Sequence, residues 1–261
     1  MKYGFIGCGN MGGAIARALS KQTNDILLSD PSNQTPILAQ DLGCATGDNI
    51  AVAAKCQRIF LAVKPQMMAS VLAPIAAILA EKKPLIITIA AGIEISQIEA
   101  MIGAHLPVIR IMPNTPVSVG KGMIVYCSND LVSQEVLADF LSDMQYAGKL
   151  DKLDEKLIDV ASALSGSGPA YLYLFLEAMA DGAVACGLPR QKAMDYAART
   201  MEGAAQMYLA SGKHPGELKD AVCSPAGSTI KGIQALEEHG FRGAVIDCII
   251  AAYQRNKELG K

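Results

Sequence analysis

Apolar residues follow two different patterns along the chain, and the change falls near residue 151. Before it, short continuous apolar runs alternate with segments whose apolar residues recur at helical spacing. Runs that are apolar throughout are typical of strands buried on both faces of a parallel sheet. This alternation predicts a doubly wound α/β domain over residues 1–152. The expected strands are 3–6, 25–30, 58–63, 85–89, 108–112 and 123–126, with helices that include 66–81 and 133–145.

The second half of the chain, residues 153–261, has helical patterns and no further strand pattern. Segment 170–186 is apolar almost all round, with Glu177 and Asp181 as its only charged residues. Such a helix must be buried, and a domain of ~100 residues buries few of them alone. We therefore expect an all-α dimerisation domain in which a second subunit covers this helix. The other expected helices are 156–164, 189–211 with Gly212 at its C-cap, 217–222, one ending near 239, and 242–259, while 165–169 should break the chain.

A glycine-rich loop separates the first predicted strand from the first predicted helix. The sequence GCGNMG places Gly7, Gly9 and Gly12 directly after the apolar run 3–6. In such a loop the first glycine makes the turn, the second lets the backbone approach a pyrophosphate, and the third allows close packing. The helix N-terminus supplies free N–H groups and a positive dipole end. The loop indicates a Rossmann-type dinucleotide site, and a plain turn is the alternative.

The second predicted strand ends in Asp30, which bears on the choice between NAD and NADP. An acidic residue about 20 positions after the glycine loop usually binds the ribose hydroxyls of NAD. Ser29, Ser32 and Asn33 surround Asp30, and their hydroxyl and amide groups suit the 2′-phosphate of NADP instead. A third interpretation is that Asp30 only starts a turn with Pro31. The residues leave all three open.

Small loops follow the other predicted strands, at the edge where doubly wound sheets bind their ligands. Lys64 is consistent with a cofactor contact or with a solvated loop lysine, and Asn114, between two prolines, with a site or a scaffold. In the second half, residues 224–229 (SPAGST) precede a predicted helix. Hydroxyls, small residues and a helix N-terminus together suit a carboxylate. The alternative is that Ser228 and Thr229 are ordinary N-cap residues.

Composition argues against several classes of function. A net charge of −2, 5% aromatic residues and no Trp argue against nucleic-acid and membrane partners. Seven cysteines without a CxxC pair and three scattered histidines argue against disulfides and against a metal site. The apolar segment before Cys8 is shorter than the apolar region of a signal peptide, which has roughly 7–15 residues. No stretch reaches the about 18 apolar residues of a membrane span, so a cytoplasmic protein is expected.

Eight sequence blocks, in order along almost the whole chain, carry a family resemblance. They are FIGCGNMGGAI, FLAVKP, TIAAGI, IRIMPNTP, LSGSGPAY, FLEAMADG, HPGELKDAVCSPAGSTI and LEEHGFRGAVI. Together they resemble the pyrroline-5-carboxylate reductase family. The resemblance implies reduction of L-1-pyrroline-5-carboxylate to L-proline with NAD(P)H, the last step of proline biosynthesis. It also implies a Rossmann domain followed by a helical domain that forms a homodimer, and larger rings of dimers occur in the family.

The resemblance also implies roles for individual residues. Ser224, Gly227, Ser228 and Thr229 would bind the substrate, and Thr229 would hydrogen-bond the ring nitrogen and relay a proton. The resemblance implies NADPH as the cofactor, since most family members carry a Ser/Thr and Pro at the end of the second strand and commonly prefer NADPH. NADH is the alternative, because this chain has Asp30 there. The cofactor would contact Gly7, Cys8, Gly9, Asn10 and Met11 through its pyrophosphate, Ser29, Asp30 and Ser32 through the adenosine ribose, Asn49, Ala62, Val63, Lys64 and Pro65 along the nucleotide, and Ala90, Ala91 and Asn114 near the nicotinamide.

Two other functions compete with this interpretation. A 3-hydroxy acid dehydrogenase also combines a Rossmann domain with a helical domain, but such enzymes carry a general-acid Lys on the long inter-domain helix. Segment 170–186 contains no Lys. A regulatory protein that senses NADPH without turnover would keep GCGNMG but would not need the SPAGST loop.

Overall fold

The computed structural model describes residues 1–259, which contain a single large sheet. Its strand order is β3-β2-β1-β4-β5-β6-β7-β8. The first six strands are parallel, β7 is antiparallel to β6, and β8 is parallel to β7. The expected doubly wound α/β fold is therefore confirmed. The strands are β1 (Tyr3–Ile6), β2 (Ile26–Ser29), β3 (Ala45–Thr46), β4 (Arg58–Leu61), β5 (Leu85–Thr88), β6 (Val108–Met112), β7 (Gly122–Ser128) and β8 (Gly148–Lys152).

Helices connect the strands and make up most of the second half. Their ends follow local chemistry: the Asp48 side chain accepts a hydrogen bond from the Ala51 N–H at the start of α3, and Gly212, in the left-handed region, ends α10 as expected. The helices are α1 (Asn10–Leu19), α2 (Thr35–Leu42), α3 (Asn49–Lys55), α4 (Met68–Leu72), α5 (Ala76–Lys82), α6 (Ile95–Ile102), α7 (Gln134–Asp143), α8 (Glu155–Ala161), α9 (Gly168–Ala185), α10 (Arg190–Ser211), α11 (Pro215–Ala221), α12 (Ser228–Glu238) and α13 (Phe241–Leu259).

The chain divides into two compact units, which we describe separately. The sheet unit comprises residues 1–167 together with the end of α13 from residue 252, and the helical unit comprises residues 168–251. The sequence suggested a division after residue 152. The sheet unit extends beyond that point because α8 packs on the sheet through the fully buried Ile158.

Apolar side chains cover both faces of the sheet. One face packs against α1, α2 and α7, and the other against α3 to α6 and α8. The rings of Phe5 and Phe60, on the central strands β1 and β4, stack with centroids 4.5 Å apart. Burial on both faces is what the continuous apolar runs predicted.

Two local predictions were wrong, and two strands were not predicted. The helix expected at 66–81 is two short helices, α4 and α5, because Pro74 lies between them and has no N–H to continue a helix. Residues 165–169 do not form a loop between two separate helices, since Ser162–Gly166 form a π-helical turn that leads into α9. The strands β3 and β8 were not expected, because the two residues of β3 are exposed and β8 has the mostly polar sequence GKLDK, so neither has the apolar run that marks the other strands.

The helical unit buries little apolar surface by itself. Its buried apolar residues within 168–251 are Ala180, Ala193 and Ala197. By contrast, Leu172, Tyr173 and Leu174 on α9 are each more than half exposed. In the described part of the chain, none of the helices combines the length and the apolar character that crossing a membrane requires.

Candidate active site

The glycine loop after β1 has a backbone that side chains would block. Gly7 has a φ of 99°, and a Cβ atom there would lie 2.5 Å from the carbonyl oxygen of Ala62. A Cβ atom on Gly12 would lie 2.3 Å from the carbonyl oxygen of Gly7. Both positions therefore require glycine, one for the turn and one for the close packing of α1 on the loop.

Gly9 has a different reason to lack a side chain. It is the N-cap of α1, where no side chain caps the helix, and a Cβ atom there would meet no protein atom within 4 Å. The space in front of the first turn is thus open, and its N–H groups face that space without a side-chain acceptor. Asn10 and Met11 are the first residues of this turn. Such an open helix N-terminus fits a pyrophosphate.

Asp30 binds the backbone on both sides of its carboxylate. One oxygen accepts a hydrogen bond from the Cys8 N–H at 2.7 Å, and the other accepts one from the Ser32 N–H at 2.8 Å. The second bond is the turn contact that one of the three interpretations anticipated. The first bond was not predicted, and it fixes the glycine loop to the end of β2. Burial, and then the nearby Asp30 charge, raise the pKa of the Cys8 thiol to about 12, so the thiol is neutral.

The expected cofactor residues other than Asn49, which begins α3 after β3, lie at or just beyond the carboxyl ends of five parallel strands. Because these strands are parallel and adjacent in the order β2-β1-β4-β5-β6, the loops after them lie at one edge of the sheet. The Ser29 hydroxyl donates to Asn49 Oδ1 at 2.6 Å, which joins β2 to α3. The exposed Lys64 directly precedes a 3₁₀ turn that begins at Pro65. The edge thus gathers the loops that hold Gly7, Ser29, Ala62, Val63, Ala90, Ala91 and Asn114.

The side chain of Asn114 connects two segments of the sheet unit. It is 8% exposed, its Nδ2 donates to the Ser165 carbonyl at 3.0 Å, and its Oδ1 accepts from the Met123 N–H at 3.0 Å. Asn114 is therefore part of the scaffold that joins the β6–β7 loop to the π-helical turn. A contact to the nicotinamide stays a prediction.

The SPAGST loop lies in the helical unit and leads into α12. Gly227 is the N-cap of α12 and no side chain caps it, so the interpretation of Ser228 and Thr229 as N-cap residues is wrong. A Cβ atom on Gly227 would lie 2.3 Å from Ser224 Oγ. Ala226 has a φ of 58°, a left-handed conformation that is unusual for a residue with a Cβ atom.

The polar groups of this loop face outward. Ser224, Ser228 and Thr229 are exposed, and their hydroxyls form no hydrogen bond with other residues in the range 1–259. Free hydroxyls beside an uncapped N-terminus of an 11-residue helix are suited to an anion. No cluster of three potential metal-ligating side chains occurs among the described residues.

Together the fold and these two sites define a class: an oxidoreductase that uses a dinucleotide. Two family models match the chain. Residues 2–92 match a model described as "NADP oxidoreductase coenzyme F420-dependent", and residues 155–259 match one described as "Pyrroline-5-carboxylate reductase dimerisation".

Full-length relatives agree. The pyrroline-5-carboxylate reductase of Escherichia coli is 41% identical over 266 residues, which covers 100% of this chain and 98% of the relative. That of Pisum sativum is 40% identical, with 98% and 95% covered. A crystal structure of a pyrroline carboxylate reductase from Plasmodium falciparum with NADP bound superposes with a TM-score of 0.90 at 32% identity, covering 100% and 98% of the two chains.

The chain belongs to the pyrroline-5-carboxylate reductase family. It is an NAD(P)H-dependent oxidoreductase, and the family's reaction is the reduction of L-1-pyrroline-5-carboxylate to L-proline, the last step of proline biosynthesis. Its dimerisation domain supports a homo-oligomer.

Proposed function

We propose that this chain reduces L-1-pyrroline-5-carboxylate to L-proline with NADPH as the preferred donor, and that the SPAGST loop binds the substrate carboxylate. The observation that carries this assignment is the uncapped N-terminus of α12 at Gly227, beside three exposed hydroxyls. The first-turn N–H groups offer hydrogen bonds and the positive dipole end to a carboxylate. Ser224, Gly227, Ser228 and Thr229 form this substrate site.

The chemistry requires positioning more than strong acid catalysis. A bound nicotinamide supplies a hydride, and the imine carbon of the substrate accepts it readily once the ring nitrogen is protonated. The protein must hold the ring in one orientation. This lowers the activation barrier for hydride transfer, because the ring has already lost its translational and rotational freedom on binding. The Thr229 hydroxyl hydrogen-bonds the ring nitrogen and relays its proton.

The cofactor residues are those gathered at the sheet edge. Gly7, Cys8, Gly9, Asn10 and Met11 bind the pyrophosphate, and the open space at Gly9 supports this role. A relative with NADP bound supports the preference for NADPH. Both oxygens of the Asp30 carboxylate accept backbone hydrogen bonds, which fixes this charge in the turn, so the assignment of NADPH rests on the relative with NADP bound and not on Asp30. Ser29, Ser32, Asn49, the loop 62–65, Ala90, Ala91 and Asn114 complete the proposed set.

We further propose a cytoplasmic homodimer, assembled into a larger ring of dimers. The match of residues 155–259 to a dimerisation domain and the exposed apolar side chains of α9 support the dimer. No nucleic acid, metal or membrane takes part in the proposed reaction.

The decisive experiment is an assay that follows NAD(P)H absorbance with pyrroline-5-carboxylate and each cofactor in turn. We expect turnover with both and a higher kcat/KM with NADPH. Cofactor binding without turnover above background would instead identify a nucleotide-sensing protein. A rate with 3-hydroxy acids but none with the imine would identify a dehydrogenase.

The role of Thr229 is tested by Thr229→Ala. We expect kcat to fall by about 100-fold, the usual contribution of a positioned proton-transfer group, while cofactor affinity is unchanged. Thr229→Ser keeps the hydroxyl and should recover most of the rate. Thr200→Ala is the matched control, because the exposed Thr200 hydroxyl donates to the Tyr196 carbonyl of its own helix. A full rate for Thr229→Ala would remove the assigned role.

A further inference from the structure

Arg110 is a charged side chain in the interior of the sheet unit that the proposed reaction does not use. It lies in the middle of β6 and is 1% exposed. Its Nη2 donates to Asp159 Oδ1 at 2.6 Å, and its Nη1 donates to Glu155 Oε1 at 3.4 Å. Both acceptors are on α8, so this guanidinium joins the strand to that helix.

The pairing is a poor device for stability alone. Within residues 1–259, the Arg110 Nε is buried and has no hydrogen-bond partner, and the contact to Glu155 is long. A buried donor left unpaired is costly, and an ion pair whose cation is buried gains little beyond the cost of removing that charge from water. The contacts of Arg110 and Glu155 with other segments are therefore more informative than their contribution to stability.

Glu155 extends the connection to another strand-end loop. Its Oε1, the atom that meets Arg110, also accepts a hydrogen bond from the Ile95 N–H at 2.8 Å. Ile95 is the first residue of α6 and directly follows the loop that contains Ala90 and Ala91. At the other end of this loop, the Ala90 N–H donates to the buried Thr88 Oγ1 at 3.3 Å. The loop is thus fixed at both ends, by β5 on one side and by α8 on the other.

The helix α8 is itself held from two further directions. Asn256, near the end of α13, donates from its Nδ2 to the Asp159 carbonyl at 3.0 Å. Asn114 holds the carbonyl of Ser165 in the π-helical turn that follows α8. α8 is therefore a fixed support, and Glu155 transmits its position to the start of α6.

We infer that Glu155, through its hydrogen bond from the Ile95 N–H, is a positioning residue that fixes the Ala90–Ala91 loop and thereby the placement of the nicotinamide for hydride transfer. The inference rests on the proposed function, which places this loop beside the nicotinamide. Neither residue touches the reacting atoms. A misplacement of about 1 Å at such a loop can cost about 100-fold in rate, so a hydrogen bond to its end is sufficient leverage.

The test compares Glu155→Ala with Glu155→Gln in the full-length enzyme. Alanine removes the acceptor for the Ile95 N–H, so we expect kcat to fall by about tenfold with KM for NADPH changed by less than about twofold. The deuterium isotope effect on kcat with 4-deuterated NADPH should rise, because hydride transfer becomes slower relative to other steps. Glutamine keeps a carbonyl oxygen at the same place and should retain kcat within about threefold of the wild type.

The matched control is Glu135→Ala, which removes an exposed glutamate from the first turn of α7 and should leave all kinetic constants unchanged. A merely structural role for Glu155 would lower the melting temperature of the alanine variant and leave kcat and the isotope effect unchanged, which would overturn the inference. Equal loss of kcat in the glutamine and alanine variants would also overturn it, since the hydrogen bond to Ile95 would then not be the cause.

Hydrogen exchange gives a measurement that does not depend on turnover. In Glu155→Ala, the amides of residues 90–95 should exchange at least about tenfold faster than in the wild type, with protection in β1 and β4 unchanged. Unchanged exchange in this loop would contradict the inference even if the enzyme were inactive. Absence of turnover in the wild type would contradict the proposed function instead, and the exchange result would still test the support of the loop.

Discussion

The sheet unit and the helical unit solve the burial of apolar residues in opposite ways. The sheet unit buries large side chains fully in two clusters, one on each face of the sheet: Phe5 and Phe140 lie in one, and Leu72 lies in the other. The helical unit buries only alanines among its described apolar residues and exposes Leu174 at 70% and Leu209 at 79%. The first has a complete core within one chain. The second has apolar surface that one chain leaves exposed, as expected for a dimerisation domain.

The strongest test of this difference is to place a charge on the exposed apolar surface of α9, which a partner subunit is expected to cover. Leu174→Glu should abolish the oligomer, because each copy loses roughly 1.5–3 kcal/mol of apolar burial and must also bury a carboxylate. Light scattering after size exclusion should report a monomer, and activity should fall with it. Leu131→Glu, on an exposed leucine of the sheet unit, is the control and should leave the assembly unchanged. An intact oligomer with glutamate at position 174 would mean that α9 is not covered by a partner.

The corresponding test of the sheet unit is Asp143→Ala. The Asp143 carboxylate accepts hydrogen bonds from the Tyr3 hydroxyl at 2.6 Å and from Arg58 Nη1 at 3.2 Å, and it pairs with Lys2 at 2.7 Å. Its removal leaves the mostly buried Arg58 guanidinium with the outer Asp139 and the neutral Tyr3 hydroxyl as partners, so we expect a loss of about 2–3 kcal/mol.

Thermal or urea unfolding measures this loss. It should appear in the transition of the sheet unit without a change in the oligomer. Asp41→Ala removes an exposed pair with Arg17 and should cost less than about 1 kcal/mol. A similar small cost for Asp143→Ala would show that the network does not stabilise the core.

Asp30→Ser tests the glycine loop, the part of the sheet unit that sequence reasoning left undecided. Serine cannot reach both the Cys8 and the Ser32 N–H groups, so we expect the affinity for NADPH and NADH to fall together, by about tenfold. Fluorescence titration with each cofactor measures this. A gain for NADPH alone would show that the carboxylate faces the ribose, and unchanged affinities would show that its two backbone bonds do not hold the loop.

The sequence predicted the parts of the molecule that depend on local patterns. Buried runs such as 108–112 gave strands at the observed residues, and GCGNMG gave the loop whose Gly7 and Gly12 admit no side chain. The sequence could not predict contacts between distant segments. Nothing local to Arg110 indicates that its partners would be Glu155 and Asp159.

One remaining miss has the same cause, and another has a different one. The tie from Asn114 to Ser165 also joins segments far apart in the chain, whereas the turn formed by Asp30 had a local signal in Pro31 and Ser32. The polar strand β8 was missed because its residues are largely exposed and leave no apolar pattern to recognise.

The smallest expected effect concerns Ala226, a residue of the helical unit whose backbone is strained. Ala226, at a φ of 58°, stands between Pro225 and Gly227 in the proposed substrate loop, where the sheet unit uses glycine for its own positive φ at Gly7. Ala226→Gly relieves strain of about 1 kcal/mol but gives the unfolded chain about as much extra freedom, so stability should change by less than about 0.5 kcal/mol. KM for pyrroline-5-carboxylate should rise about twofold to fivefold, because binding must now order a looser loop.

The control is Ala205→Gly, at an exposed position in the middle of α10. It should cost about 1 kcal/mol of stability and leave KM unchanged. An unchanged KM for Ala226→Gly would mean that Pro225 and Gly227 hold the loop without help from the alanine.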